Sequence, residues 1–235
     1  MKNIGLIGGM SWESSIEYYR IINEGVREAL GGVHSARSVM VSVDFGEIEK
    51  LQAAGDWEEA TRIMVQCAKQ VEGVGADFIL ICTNTMHLMA EEVQTAVNIP
   101  LLHIADATAR AVKAAGLDSV GLLGTRFTME KDFYRGRLEK IHGLRVITPN
   151  ESGKALVHGI IYEELVKGII LEESRKSYLR VIQALEKEGA GGIILGCTEI
   201  GLLVKQEDVP LPVFDTMEIH ARAAVDAALD RYELS

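Results

Sequence analysis

The sequence predicts an α/β protein of two pseudo-symmetric lobes, each a parallel sheet flanked by helices, with an active-site cleft between them. Short β-branched runs alternate with helical patterns from end to end, as strand–helix–strand units do. Similar strand-like segments then recur, in one order, in the second half of the chain. At 235 residues, 48% hydrophobic and 25% charged, the chain is long enough to bury a core without disulfides or metals, and its composition is globular.

The first apolar run, Ile4 to Ile7, reads as a buried strand. After it, Ser14 and Glu17 have capping-box spacing, and Ile16, Tyr19, Ile22, Val26 and Leu30 recur every three or four residues until Gly31 and Gly32, a helix with a glycine stop. Val39, Val41 and Val43 alternate as a second strand. Ala60, Met64, Cys67, Val71 and Val74 form the apolar stripe of another helix, which puts Cys67 in the core. Further strands are expected at Phe78 to Ile81, Leu101 to Ile104, Val120 to Leu123, Leu144 to Ile147, Ile193 to Leu195, and Val213 to Phe214, with helical segments between most of them.

An internal repeat sets the domain plan. Ile4-Gly5-Leu6-Ile7-Gly8 matches Val120-Gly121-Leu122-Leu123-Gly124. The stretch Gly75 to Thr83 matches Gly189 to Cys197, and Ile99-Pro100 matches Leu211-Pro212. Three matches in one order, with a separation that shrinks slightly each time, predict two copies of one plan. The expected lobes are residues 1–102 with 214–235, and residues 103–213.

Charge and cysteine content exclude several functions. With 24 basic against 34 acidic residues, a net charge of -10, and only 6% aromatic residues, the chain lacks the basic footprint and stacking rings of a nucleic-acid binder. The uncharged run Phe78 to Ala90 is thirteen residues, too short to span a bilayer, and no secretory signal pattern opens the chain. No membrane association and a cytoplasmic location are therefore expected. Three cysteines without a CxxC pair fit reduced thiols. Six histidines without HxxxH spacing give no reason to expect a metal site.

The repeat pairs Thr83 with Cys197, each placed directly after a buried strand. Ligands of open parallel sheets bind at the carboxyl ends of strands, so both side chains are expected to face the cleft. Two proton-handling groups opposed in this way suit removal of a proton from one face of a carbon and its return on the other. Cys82, one residue earlier, is expected to point to the opposite side of its strand, into the core. The glycine turn at Gly8, Gly9 and Met10 leads into a helix N-terminus suited to an anion; it is not GxGxxG and has no following lysine, unlike a nucleotide loop. Asn84, Thr85 and Thr198 are short hydrogen-bonding side chains beside the two candidate bases, and Glu199 is placed to accept the thiol proton.

The motifs Gly5-Leu6-Ile7-Gly8-Gly9-Met10, Cys82-Thr83-Asn84-Thr85-Met86-His87 and Leu195-Gly196-Cys197-Thr198-Glu199-Ile200 together resemble the aspartate/glutamate/hydantoin racemase superfamily, most closely its aspartate racemase and broad-specificity amino-acid racemase groups. The resemblance spans essentially the whole chain. It implies an isomerase that interconverts L- and D-amino acids without pyridoxal phosphate or any other cofactor, acts on aspartate, glutamate or a similar small amino acid, and is commonly a homodimer. Thr83 and Cys197 would be catalytic, and Met10, Gln52, Asn84, Thr85, Thr198 and Glu199 would bind substrate. Two departures stand out. Thr83 replaces the first of the two cysteines of aspartate racemases, and Gly8-Gly9 and Glu199 stand where cell-wall glutamate racemases carry an Asp-Ser pair and a histidine. For the distal carboxylate, the region after Phe45 offers Lys50 and Gln52, and Lys167 lies one step from the aligned lysine of the second lobe. Two alternatives stand beside this reading: an arylmalonate-type decarboxylase using Cys197 alone, and a non-catalytic amino-acid-binding module.

Overall fold

The computed structural model describes residues 1–234. In chain order they form β1 (Ile4–Gly8), α1 (Trp12–Leu30), β2 (Ser38–Ser42), α2 (Phe45–Ala54), α3 (Trp57–Gly73), β3 (Phe78–Ile81), a 3-10 turn at Thr85–Met89, α4 (Ala90–Thr95) and α5 (Ile104–Ala114). There follow β4 (Ser119–Gly124), α6 (Arg126–Glu130), α7 (Arg135–Lys140), β5 (Arg145–Ile147), α8 (Glu151–Glu163), α9 (Glu172–Lys187), β6 (Ile193–Gly196), α10 (Ile200–Leu203), β7 (Val213–Asp215) and α11 (Thr216–Ala228). Two compact units result: residues 1–104 with those from His220 onward, and residues 105–219.

The first unit holds a parallel sheet of order β2-β1-β3, and the second a parallel sheet of order β5-β4-β6-β7. The registers repeat as the sequence does, with Gly5 opposite Ile79 in one sheet and Gly121 opposite Ile193 in the other. Each sheet is buried under an amphipathic helix. In the first, Ala60, Met64, Cys67, Ala68 and Val71 of α3 pack with Ile7, Ile79 and Ile81. In the second, Tyr178, Ile182 and Leu185 of α9 pack with Leu123, Ile193 and Leu195. Cys67 is a core residue, as its place on the apolar stripe implies.

Two local expectations are corrected. Leu101 to Ile104 is not a strand. Only Leu101 forms a single parallel bridge, to Ile79, and α5 already begins at Ile104; a four-residue apolar run before a helix carries no periodicity to separate the two states. The helix α1 starts earlier than the Ser14–Glu17 spacing suggests, with Ser11 as N-cap, and its buried face is Ser14, Ser15, Tyr18, Ile21, Ile22 and Val26. Trp12, Ile16 and Tyr19, one turn apart in succession, are 61%, 53% and 55% exposed, so the helix carries two apolar stripes and only one faces the core.

One margin of each sheet, beside Leu101 in the first and at β7 in the second, is completed by a glutamine. The Gln94 side chain donates to the Ile99 carbonyl (3.1 Å) and accepts from the Leu101 N–H (2.7 Å). The Gln206 side chain likewise donates to the Leu211 carbonyl (3.0 Å) and accepts from the Val213 N–H (2.9 Å). The two glutamines stand at equivalent places of the repeat, each ahead of its X-Pro pair.

Candidate active sites at the strand ends

In the first unit the chain leaves β1 through Gly8 and Gly9. Gly9, at φ +92°, turns the backbone toward α1. Its N–H donates to Ser15 Oγ (2.8 Å), whose hydroxyl donates to the Ser11 carbonyl (2.9 Å). The turn therefore spends this one N–H on its own helix start. The Met10 side chain packs in the core cluster with Ile7, Ile48 and Met64.

Thr83, Asn84 and Thr85 follow β3 and are buried. The last ladder bond runs from the Cys82 N–H to the Ile7 carbonyl (2.9 Å), and the 3-10 turn is started by the His87 N–H donating to the Asn84 carbonyl (3.1 Å). Cys82 is fully buried, and loss of solvent pushes its thiol far above the ordinary thiol range. Gln52, on α2, is buried with its amide nitrogen 3.3 Å from Met86 Sδ, which brings it against the turn that follows Thr83.

Sequence reasoning placed His87 in the motif without assigning it a partner, and missed His103 and His220 behind this turn. His87 Nδ1 lies 2.8 Å from the Thr83 carbonyl oxygen, and the Ile104 N–H donates to His87 Nε2 (3.3 Å). His220 donates from Nε2 to the Leu102 carbonyl (2.8 Å) and receives the Tyr18 hydroxyl at Nδ1 (2.8 Å). The His87 ring is 4.5 Å from His103 and 5.9 Å from His220, centre to centre. Burial lowers His220 from 6.5 to about 4, against a smaller opposing effect of the Leu102 carbonyl. The unfolded chain then takes up a proton below pH 6.5 that the folded chain refuses, so the stability is complete above pH 6.5 and falls as the pH drops toward about 4. The whole effect is about 3 kcal/mol. Urea midpoints measured from pH 7 to pH 4 are expected to fall more steeply for the native chain than for His220→Phe; equal slopes would remove His220 from the acid response.

In the second unit Cys197 follows β6, and Thr198 and Glu199 lead into α10. All three are buried. Cys197 Sγ donates to Glu199 Oε2 (3.0 Å), and Thr198 Oγ1 donates to the same oxygen (2.9 Å). Burial first, then the adjacent Glu199 carboxylate, pushes the Cys197 thiol well above its ordinary value. The thiol is therefore protonated at rest. A proton shifted along the existing hydrogen bond to Glu199 would leave the charge of the buried pair unchanged. Glu199 thus contacts the thiol directly, and Thr198 shares the same carboxylate oxygen. Asp215, at the end of the neighbouring β7, is a further buried carboxyl that the sequence did not single out. Desolvation raises it, partly offset by the N–H groups of Glu218 and Met217. Lys167, by contrast, is exposed and pairs with Glu163 (3.0 Å). Among the described residues no group of three or more His, Cys, Asp or Glu side chains is arranged to hold a metal ion.

The Asp/Glu/hydantoin racemase family model matches residues 7–224. A Yersinia pestis crystal structure, provisionally assigned as an Asp/Glu racemase, is 57% identical, with a TM-score of 0.91 over 97% of this chain and 100% of that one. An aspartate racemase homologue from Pyrococcus horikoshii is 39% identical, with a TM-score of 0.84 over 97% and 100%. The broad-specificity amino-acid racemase of Bacillus subtilis is 25% identical over 181 residues, 74% of each chain. With a family match across nearly its whole length and the same fold as these relatives, the chain belongs to the Asp/Glu/hydantoin racemase family and is of its Asp/Glu racemase type.

Proposed function

We propose that the protein is an isomerase that interconverts the enantiomers of a small free amino acid, aspartate, glutamate or one like them, by two-base α-proton transfer between Cys197 and Thr83 without pyridoxal phosphate. The observation that carries this reading is the buried Cys197–Glu199 hydrogen bond of 3.0 Å, a thiol with its own proton acceptor. In the forward direction the thiol proton moves to Glu199, and the thiolate takes the α-proton from one face. The Thr83 hydroxyl gives a proton to the other face and regains one from solvent, while Glu199 releases the proton it held. Asn84 and Thr85 beside Thr83, and Thr198 beside Cys197, supply short polar groups for the amino-acid head. Met10 and Gln52 complete the proposed substrate contacts, Gln52 nearest the side chain.

A panel of L- and D-amino acids in deuterated water, followed by NMR, tests the reading. Loss of the α-proton signal is expected for aspartate, glutamate or a close analogue, with inversion detected by chiral chromatography. Absence of exchange from every amino acid would overturn it, and carbon dioxide released from an aryl malonate would move the chemistry to decarboxylation.

The same reading takes a second copy of the chain as partner and a cytoplasmic setting. The exposed stripe Trp12, Ile16 and Tyr19 on α1 is the kind of apolar surface that a self-association contact covers. Light scattering is expected to give a dimer for the native chain and a monomer for Tyr19→Glu. A native monomer would refute the assembly and leave the chemistry untouched. Among the described residues no helix is long and apolar enough to cross a membrane.

A further inference from the structure

We infer that His87 is a positioning residue for racemisation: its imidazole, restricted to one tautomer, holds the Thr83 main chain and thereby aims the Thr83 hydroxyl. The inference rests on the proposed role of Thr83 in proton transfer.

The tautomer follows from the partners. The Ile104 backbone N–H can only donate, so His87 Nε2, 3.3 Å away, presents its lone pair. The Thr83 carbonyl oxygen can only accept, so Nδ1, 2.8 Å away, carries the hydrogen. One neutral form satisfies both contacts, and the imidazolium would set two N–H groups against each other at Ile104. His220 behind it has the opposite tautomer by the same logic, with Nε2–H on the Leu102 carbonyl and Nδ1 facing the Tyr18 hydroxyl.

The position of His87 matters because the β-ladder stops one residue too early. Cys82 still donates to Ile7, which fixes the chain entering Thr83. The carbonyl leaving Thr83 has no ladder partner and is held by His87. Anchored at the Cys82 N–H on one side and at the Thr83 carbonyl on the other, the backbone of Thr83 has few conformations open to it, and these narrow the direction of its Cα–Cβ bond and hence of the hydroxyl. A proton donor displaced by about 1 Å can lose about 10²-fold in rate.

Two substitutions separate the halves of the imidazole. His87→Asn puts an amide nitrogen where Nδ1 stands and keeps a donor for the Thr83 carbonyl. His87→Gln puts its amide where Nε2 stands and leaves that carbonyl unheld. In deuterated water, inversion by His87→Gln is expected to fall about 10–100-fold, while deuterium exchange without inversion continues for the enantiomer that faces Cys197. The ratio of exchange to inversion therefore rises. His87→Asn is expected to restore the native ratio. A purely structural role would lower exchange and inversion together in both variants, and that result would overturn the inference.

If the native protein exchanges no amino acid, the racemase reading fails and the positioning role fails with it; native exchange with an unchanged ratio in His87→Gln overturns the role of His87 alone. Should the variants not fold, the long-range imidazole 15N spectrum of the native protein decides. A hydrogen on Nδ1 of His87 supports the inference, and a hydrogen on Nε2 refutes it.

Discussion

Replacing Cys197 by serine is expected to slow α-deuterium exchange from both enantiomers by about 10²–10⁴-fold, the range of a lost general acid–base group, while leaving the fold intact. Serine keeps the shape and can still donate to Glu199, so thermal unfolding should shift little. What changes is acidity. The thiol of Cys197 is already pushed up by burial and by the Glu199 charge, and a hydroxyl in the same place starts from far weaker acidity. Thr83 cannot compensate, because it is itself a hydroxyl. Both directions suffer, since each needs the residue at 197 once, as base or as acid. Cys82→Ala is the matching control. Cys82 is fully buried with a thiol held protonated, so its removal should cost some stability and little exchange. Activity lost in Cys82→Ala and kept in Cys197→Ser would transfer the chemistry to the other thiol.

The second large effect concerns stability. A β-carbon at Gly9 would fall on the Val43 carbonyl oxygen and come within 2.7 Å of the Val43 nitrogen and 2.8 Å of Ser42 Oγ. Backbone on both sides has no room to retreat, because the Val43 N–H is bonded to the Gly8 carbonyl (3.1 Å). The φ of +92° adds the usual penalty for an L side chain. Gly9→Ala is expected to lose on the order of 3–5 kcal/mol in urea unfolding, in the range of severe core substitutions. Gly75→Ala separates the two causes: its φ is +87°, yet nothing lies within 4 Å of the added carbon. It should lose only about 1–2 kcal/mol. Equal losses at the two positions would show that the close approach to Val43 contributes nothing.

Much of this architecture was legible because it is local or repeated. Alternation at Val39, Val41 and Val43 and the apolar run Phe78 to Ile81 mark strands by nearest neighbours alone, and the Gly5/Gly121 match anticipated the paired registers. The Cys197–Glu199 contact was legible for the same reason, as two residues apart leave few ways to miss each other. What failed lacks a local signature. The α1 stripe was misphased because an exposed apolar face, Trp12, Ile16 and Tyr19, has the same period as a buried one. The histidine network depends on His220 meeting Tyr18, 202 residues away, and Leu102, 118 residues away. Its tautomers are properties of partners, which no spacing records. Gln94 and Gln206 could have been found, since they hold the same spacing as the two X-Pro pairs, but a polar residue on a helix gives no hint that it reaches a strand.

Those two glutamines bear on how the chain avoids sticking to itself. A side-chain amide offers the same carbonyl and N–H as a peptide group, so Ile99 and Leu101, and likewise Leu211 and Val213, meet a counterfeit neighbouring strand of a single residue. A strand from another molecule approaching either margin finds those acceptors and donors already occupied. Sheet margins with open backbone are templates for aggregation, and here each half masks one of its two margins, beside Leu101 or beside Val213, with a single side chain.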